Sequence, residues 1–285
     1  MLTDVRRAAV LGSPVAHSLS PVLHGAAYRA LGLTAWTYDR VEVSAAGLPA
    51  FVSSLDSSWV GLSVTMPGKH AALAAASSAT PRAVAVGAAN TLVRRDSGWH
   101  ADCTDVDGVV GALRAAGFAG SGYGVVLGAG GTACAALAGL FDLGISRAHV
   151  VARDPARAES AVACGAKLGL PVEVVGWSSA SSASSASFGA LAAGAAVLVN
   201  TAPAGAVPPS ELALAPCVLD VVYHPWPTPL ASAVAERGGV LATGLDMLLH
   251  QAFGQVEQFT GEPAPRAAMR DALHEATGGI LPLRI

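Results

Sequence analysis

Residues 123–133, Tyr-Gly-Val-Val-Leu-Gly-Ala-Gly-Gly-Thr-Ala, constrain this chain more than any other stretch. The apolar run Val125, Val126 and Leu127 is too short for a helix, and glycines follow it at once, ahead of a helix-forming segment. That order reads as buried strand, tight turn, helix. Gly128, Gly130 and Ala133 fill the small positions of G-x-G-x-x-G/A, with Gly131 beside them. The first position permits the turn, the second lets backbone approach a pyrophosphate, and the third lets the helix lie close on the strand. The phosphates then meet unpaired N–H groups at the helix N-terminus. In a chain with 32 glycines the pattern alone is weak. The strand before it, the helix after it and a second strand at the right distance make it strong.

The 285 residues suffice for two domains, and 52% hydrophobic against 13% charged residues describe a well-buried globular chain. A net charge of −3 provides no basic stripe for nucleic acid or an anionic membrane. No apolar stretch reaches the length of a bilayer span, and Met1-Leu2-Thr3-Asp4 lacks the plan of a signal peptide, so a soluble cytoplasmic protein is expected. Cys103, Cys134, Cys164 and Cys217 are scattered, which predicts buried free thiols and supports neither a disulfide framework nor a metal site. Of the 17 basic residues only Lys69 and Lys167 are lysines. A lysine kept in so arginine-rich a chain suggests a group that must exchange a proton, which guanidinium cannot do. Lys167, late in a predicted surface helix, shows that the bias is not absolute.

Before the glycine turn the chain alternates strand and helix, as a mostly parallel sheet requires. A first strand ends at Gly12 and leads through Ser18-Leu19-Ser20-Pro21 into a helix. Ser20 reads equally as an N-cap ahead of Pro21, or with Ser18 as a pair of hydroxyl donors at a strand end, where open α/β sheets hold ligands. A later strand, Val60 to Met66, runs into Pro67-Gly68-Lys69, bringing Ser63, Thr65 and a rare lysine to the same sheet edge. The ordinary alternative for Lys69 is a solvated helix-start residue; its scarcity and strand-end position weigh against that. An alanine-rich helix, a strand from Asn90-Thr91, a hairpin around Asp96-Ser97-Gly98 and the turn Cys103-Thr104-Asp105 follow. Asp105 reads as a cap of the next helix.

Beyond the glycine turn, the strand Ala148 to Ala152 ends in Arg153-Asp154-Pro155-Ala156-Arg157. An acid here would hold a ribose 2′-OH; Arg153 and Arg157 instead suit a 2′-phosphate, so NADP is favoured over NAD. Asp154 before Pro155 reads as an N-cap. Further strands are expected at Val172 to Trp177, Ala196 to Asn200, Val218 to Val222 and Gly239 to Thr243, with Ser178 to Ser187 as a low-complexity connection.

Taken together, Ser18-Leu-Ser20, Val64-Thr65-Met66-Pro67-Gly68-Lys69, Ala89-Asn90-Thr91, Thr104-Asp105, the glycine turn, Tyr223 and Gln251 resemble the shikimate dehydrogenase family over nearly the whole chain. The resemblance implies NADP-dependent, metal-free reduction of 3-dehydroshikimate to shikimate on the route to chorismate and the aromatic amino acids. It implies an N-terminal α/β substrate domain (1–106 and 246–285, with C-terminal helices returning to it) and a Rossmann-type domain (107–245). By position, Ser18 and Ser20 would bind the substrate carboxylate, Thr65 would contact a ring hydroxyl, and Ser63 is a further substrate-binding position. Lys69 and Asp105, with Asn90, would hold the reacting end as a proton-transfer pair. Tyr223 and Gln251 would close the pocket, and Gly244 would lie by the nicotinamide.

Four departures stand out. Ser63 replaces a common Asn, which weakens one substrate hydrogen bond or routes it through water. Cys103 replaces the Asn usual before Thr104-Asp105, and Asn200-Thr201-Ala202-Pro203 keeps part of a cofactor-side pattern. Asp154 stands where Thr is frequent. Quinate or aminoshikimate dehydrogenase, and a nucleotide-sensing homologue without catalysis, are the alternative readings. A monomer or homodimer is expected.

Overall fold

The computed structural model describes residues 5–176, 188–203 and 209–285. The leader reading of residues 1–4, the strand end at Trp177 and the connection Ser178 to Ser187 lie outside the described residues. In chain order the elements are β1 (Arg6–Gly12), α1 (Ser20–Ala30), β2 (Trp36–Glu42), α2 (Leu48–Ser54), β3 (Trp59–Val64), α3 (Lys69–Ala75), β4 (Ser78–Ala79), α4 (Pro81–Val86), β5 (Thr91–Arg95) and β6 (Gly98–Asp102). Next come α5 (Asp105–Ala115), β7 (Tyr123–Leu127), α6 (Gly131–Asp142), β8 (Arg147–Ala152), α7 (Glu159–Leu168), β9 (Val172–Gly176), α8 (Phe188–Gly194), β10 (Val197–Asn200), α9 (Pro209–Leu212), β11 (Cys217–Asp220), α10 (Pro229–Glu236) and β12 (Val240–Thr243). The chain closes with α11 (Gly244–Thr260) and α12 (Arg266–Ala276). Among the described residues no helix is long and apolar enough to cross a membrane.

Two compact units emerge, one from the residues up to Thr104 with Leu248–Leu283, the other from Asp105–Met247. The first holds a six-stranded sheet in the order β2-β1-β3-β5-β6-β4. β1 pairs in parallel with β2 and β3, and β4 with β6, while β3–β5 and β5–β6 are antiparallel. Ala8 to Leu11 are buried, as a central strand covered on both faces requires. One face packs Leu11, Leu48, Leu62, Leu92 and Trp99; the other receives Phe259 of α11 against Ala8 and Val93. The hairpin closes with Arg95 opposite Gly98. One expectation changes: the alanine-rich stretch is two helices, not one. Ser78 and Ala79 pair with β6, and Thr80 then accepts the Ala83 N–H to start α4 afresh with Pro81 behind it.

The second unit carries a six-stranded sheet in the order β12-β11-β10-β7-β8-β9, every ladder parallel. This is the doubly wound arrangement, whose order reverses between β7 and β10. α5 lies close on α6 because Gly139 has no side chain; a Cβ there would sit 2.7 Å from Val109 Cγ1. Asp154 accepts the Ala156 N–H, the cap expected of it, but the turn it opens is a 3-10 turn (Pro155–Ala158) before α7.

Candidate functional site

At the C-terminal ends of β1 and β3 in the first unit, backbone bonds knit the loops together. Thr65 N donates to Leu11 O at 2.8 Å, Ser13 N to Met66 O at 3.1 Å and Val64 N to Asn90 O at 2.8 Å. Gly12 is glycine because any Cβ would overlap the Thr65 side chain. Ala89 N donates to Lys69 O at 3.0 Å, so the start of α3 and the segment before Asn90 are held side by side. These bonds gather Thr65, Lys69 and Asn90 on one sheet edge.

Neither serine of the first loop caps α1. Leu19 occupies the cap position, Ser20 is the first helical residue, and no side chain caps that end. The Ser20 N–H instead meets Ser18 Oγ at 3.3 Å, and the two hydroxyls lie 3.3 Å apart. Arg40 Nε and Nη2 hold the loop by donating to Ser18 O at 2.9 and 2.6 Å. The capping account of Ser20 fails, and the paired hydroxyls stay together at the strand end.

Asn90 is buried in a polar cluster. Its Oδ1 accepts from Thr104 N at 2.7 Å and Thr91 Oγ1 at 2.9 Å. Its Nδ2 donates to Thr104 Oγ1 at 3.0 Å and Gln251 Oε1 at 3.2 Å, and Gln251 Nε2 reaches Leu248 O at 2.9 Å. Behind it, Ser63 Oγ accepts from Tyr38 at 2.6 Å and donates to Gln255 Oε1 at 2.7 Å. Burial pushes the Tyr38 hydroxyl pKa far up, although its hydrogen bonds with Ser63 and Ser20 oppose that, so Tyr38 stays a neutral donor.

The turn into Asp105 is braced despite Cys103. Cys103 N donates to Asp102 Oδ1 at 2.7 Å, and Thr104 is fixed through Asn90. Asp102 itself receives Arg82 at 2.7 and 2.6 Å, Thr80 at 2.7 Å and Gln258 at 2.8 Å. Burial raises its pKa, but the bonds from Arg82 and Thr80 outweigh it and hold the carboxyl at about 2. Asp105 is buried and is the first residue of α5, not a residue outside it. Lys69 opens α3 in the first unit and Asp105 opens α5 in the second.

In the second unit Gly128 is required twice over: its φ is +102°, and a Cβ would sit 2.5 Å from Thr201 Oγ1. Thr201 is drawn there by bonds from its N (2.9 Å) and Oγ1 (2.7 Å) to Leu127 O. Both residues stand where the strand order reverses. Gly130 and Gly131 differ: among the described residues added Cβ atoms would meet nothing within 4 Å. The open space over the start of α6 leaves room for phosphates against its N–H groups. Arg153 and Arg157 are exposed just beyond β8. A Cβ on Gly244 would overlap the Val221 carbonyl and sit 2.8 Å from Tyr223 Cδ1, so local packing already accounts for that glycine. Burial raises the Tyr223 pKa. The second strand-end acid, Asp220, is satisfied by Asn200 (2.9 Å), Val222 N (3.2 Å) and Thr228 (2.6 Å).

Sequence reading passed over Tyr38, His24, Asp102, Gln255 and Gln258. The one signal for the last two was α11's helical spacing, which sets Gln251, Gln255 and Gln258 on adjacent turns.

Fold and site define a two-unit α/β protein with a Rossmann-type nucleotide unit and a polar sheet edge in the other. Residues 10–92 match the model for the shikimate dehydrogenase substrate binding domain, and residues 244–274 that for the shikimate 5'-dehydrogenase C-terminal domain. Shikimate dehydrogenase (NADP+) of Methylobacterium radiotolerans is 38% identical over 94% of this chain and 96% of its own. The Mycobacterium tuberculosis shikimate dehydrogenase structure is 51% identical with a TM-score of 0.87, covering 95% of this chain and 99% of that one. The Thermus thermophilus shikimate 5-dehydrogenase in complex with NADP(H) and shikimate is 30% identical with a TM-score of 0.82, over 95% and 100% of the two chains. The chain belongs to the shikimate dehydrogenase family.

Proposed function

We propose that this chain is an NADP-dependent shikimate dehydrogenase, interconverting 3-dehydroshikimate and shikimate. The observation that carries the reading is the gathering of paired serines, Thr65, Lys69 and the Asn90–Gln251 amides in the unit that matches the substrate binding domain model. Hydroxyl and amide groups suit a small polyol acid, whose analogues lacking a hydroxyl would leave buried polar groups unpaired. Ser18 and Ser20 receive the carboxylate, and Thr65, Asn90 and Gln251 receive ring hydroxyls.

NADPH, when bound, supplies the hydride. Its phosphates fit the open N-terminus of α6 above Gly130 and Gly131, and its 2′-phosphate suits the exposed guanidinium groups of Arg153 and Arg157. Lys69 donates a proton to the substrate oxygen as the carbonyl becomes an alcohol, and takes one back in reverse. The family resemblance gives Asp105 the part of keeping that ammonium charged, Tyr223 a part in binding substrate and Gly244 a place by the nicotinamide. The enzyme works in the cytoplasm as a monomer or homodimer, feeding the route to chorismate. The test is turnover of shikimate, quinate and aminoshikimate with NADP+ and with NAD+. Reduction of NADP+ by shikimate at the highest kcat/KM is expected. Quinate as the better substrate would replace the reading, and dinucleotide binding without turnover would favour a sensor.

A further inference from the structure

Residue 63 is a serine where an asparagine is common in the family, and Gln255 brings an amide to that place from α11. Gln255 Oε1 accepts from Ser63 at 2.7 Å and from His24 Nε2 at 3.2 Å. Its Nε2 donates to Asn90 O at 3.2 Å and to Thr91 Oγ1 at 3.0 Å. The orientation of this amide is dictated, because the Asn90 carbonyl can only accept. Donors therefore run one way: Tyr38 to Ser63, Ser63 to Gln255, Gln255 to Thr91, Thr91 to Asn90 Oδ1, and Asn90 Nδ2 to Gln251. The single hydrogen of the Ser63 hydroxyl is committed to Gln255, and Gln255 is only 1% exposed. Both belong to the buried polar cluster around Asn90.

We propose that Gln255 is a positioning residue of the substrate site, which with Ser63 takes over from the missing asparagine amide and fixes Asn90 and, through it, Gln251. The inference rests on the roles given to those two amides above. Groups locked before the ligand arrives lose no rotamer freedom on binding it, so loosening them weakens affinity without touching the nucleotide unit.

The test compares the wild type with Gln255→Ala, the near-isosteric Gln255→Met and the double variant Ser63→Asn/Gln255→Ala. Steady-state kinetics with shikimate and NADP+ give the readout. Either single variant should raise KM for shikimate about tenfold, the scale of one lost buried hydrogen bond. KM for NADP+ should stay within about twofold. Returning an amide at residue 63 should recover most of the loss. The proposal is overturned if a folded single variant keeps the wild-type KM for shikimate, if both KM values rise together, or if the double variant is no better than Gln255→Ala. A wild type silent toward shikimate would instead remove the functional reading. The relay is then judged from the Asn90 side-chain amide NMR signals, which Gln255→Met must shift and which, unshifted, would overturn it.

Discussion

Gly61 of β3 and Phe259 of α11 touch so closely that a Cβ on Gly61 would overlap the Phe259 ring. This contact seats the helix that carries Gln251 and Gln255. Gly61→Ala should therefore cost about 1–3 kcal/mol through overpacking, seen as a lower urea midpoint. It should also raise KM for shikimate, because the two glutamines move with the helix. An unchanged midpoint would show that α11 can shift freely.

The glycine turn separates two causes of glycine. Gly128→Ala meets a positive φ and Thr201, so it should lower stability and dinucleotide affinity together. Gly130→Ala meets nothing within 4 Å among the described residues beyond its chain neighbours. It should leave the unfolding midpoint in place while raising Kd for NADP+ about tenfold or more, because only a bound phosphate competes for that space. Titration calorimetry and thermal unfolding on both variants check this.

For Lys69 the expected signature is loss of turnover rather than binding. Lys69→Ala should lower kcat by about 10²–10⁴ with shikimate affinity changed only a few-fold. Lys69→Arg should stay impaired, since guanidinium keeps its proton. Equal loss of binding and turnover would take Lys69 out of the chemical step.

Arg153→Ala and Arg157→Ala should each raise KM for NADP+ about tenfold and leave KM for NAD+ nearly unchanged, the loss expected for a charge-assisted hydrogen bond to phosphate. Parallel assays with the two cofactors settle it. Equal effects on both would place the 2′-phosphate elsewhere.

Acid should weaken the fold in two stages. His24 is stacked on Tyr38 with centroids 4.0 Å apart and on Phe259 at 5.5 Å, with Tyr28 at its edge. Its Nε2–H serves Gln255 while Nδ1 is buried with no hydrogen-bond partner among the described residues. Burial lowers its pKa from 6.5 to about 3, against the opposing Gln255 bond. The unfolded chain therefore binds a proton below 6.5 that the folded chain refuses until about 3, and stability falls with pH across that window. One such proton is worth about 1.4 kcal/mol per pH unit. Asp102 keeps its contribution above its ordinary value of 3.8 and loses it as pH falls toward about 2. Urea midpoints at pH 7.5, 6 and 5 should decline in the wild type, and His24→Phe should flatten that decline.

What the sequence determined by itself was whatever neighbours in the chain decide. The glycine turn, the Asp96–Ser97 hairpin, the Asp154 cap and the alternation of strand and helix all rest on dihedral preference and apolar period within a few residues. Lys69 stood out through composition. Tertiary structure decided the rest. Ser20 lost its capping role because the chain turns one residue earlier, at Leu19. Ser63 meets a partner 192 positions away and Asp102 one 156 away. A buried polar group must find its complement wherever the fold brings one, and no local rule names a partner that far along the chain.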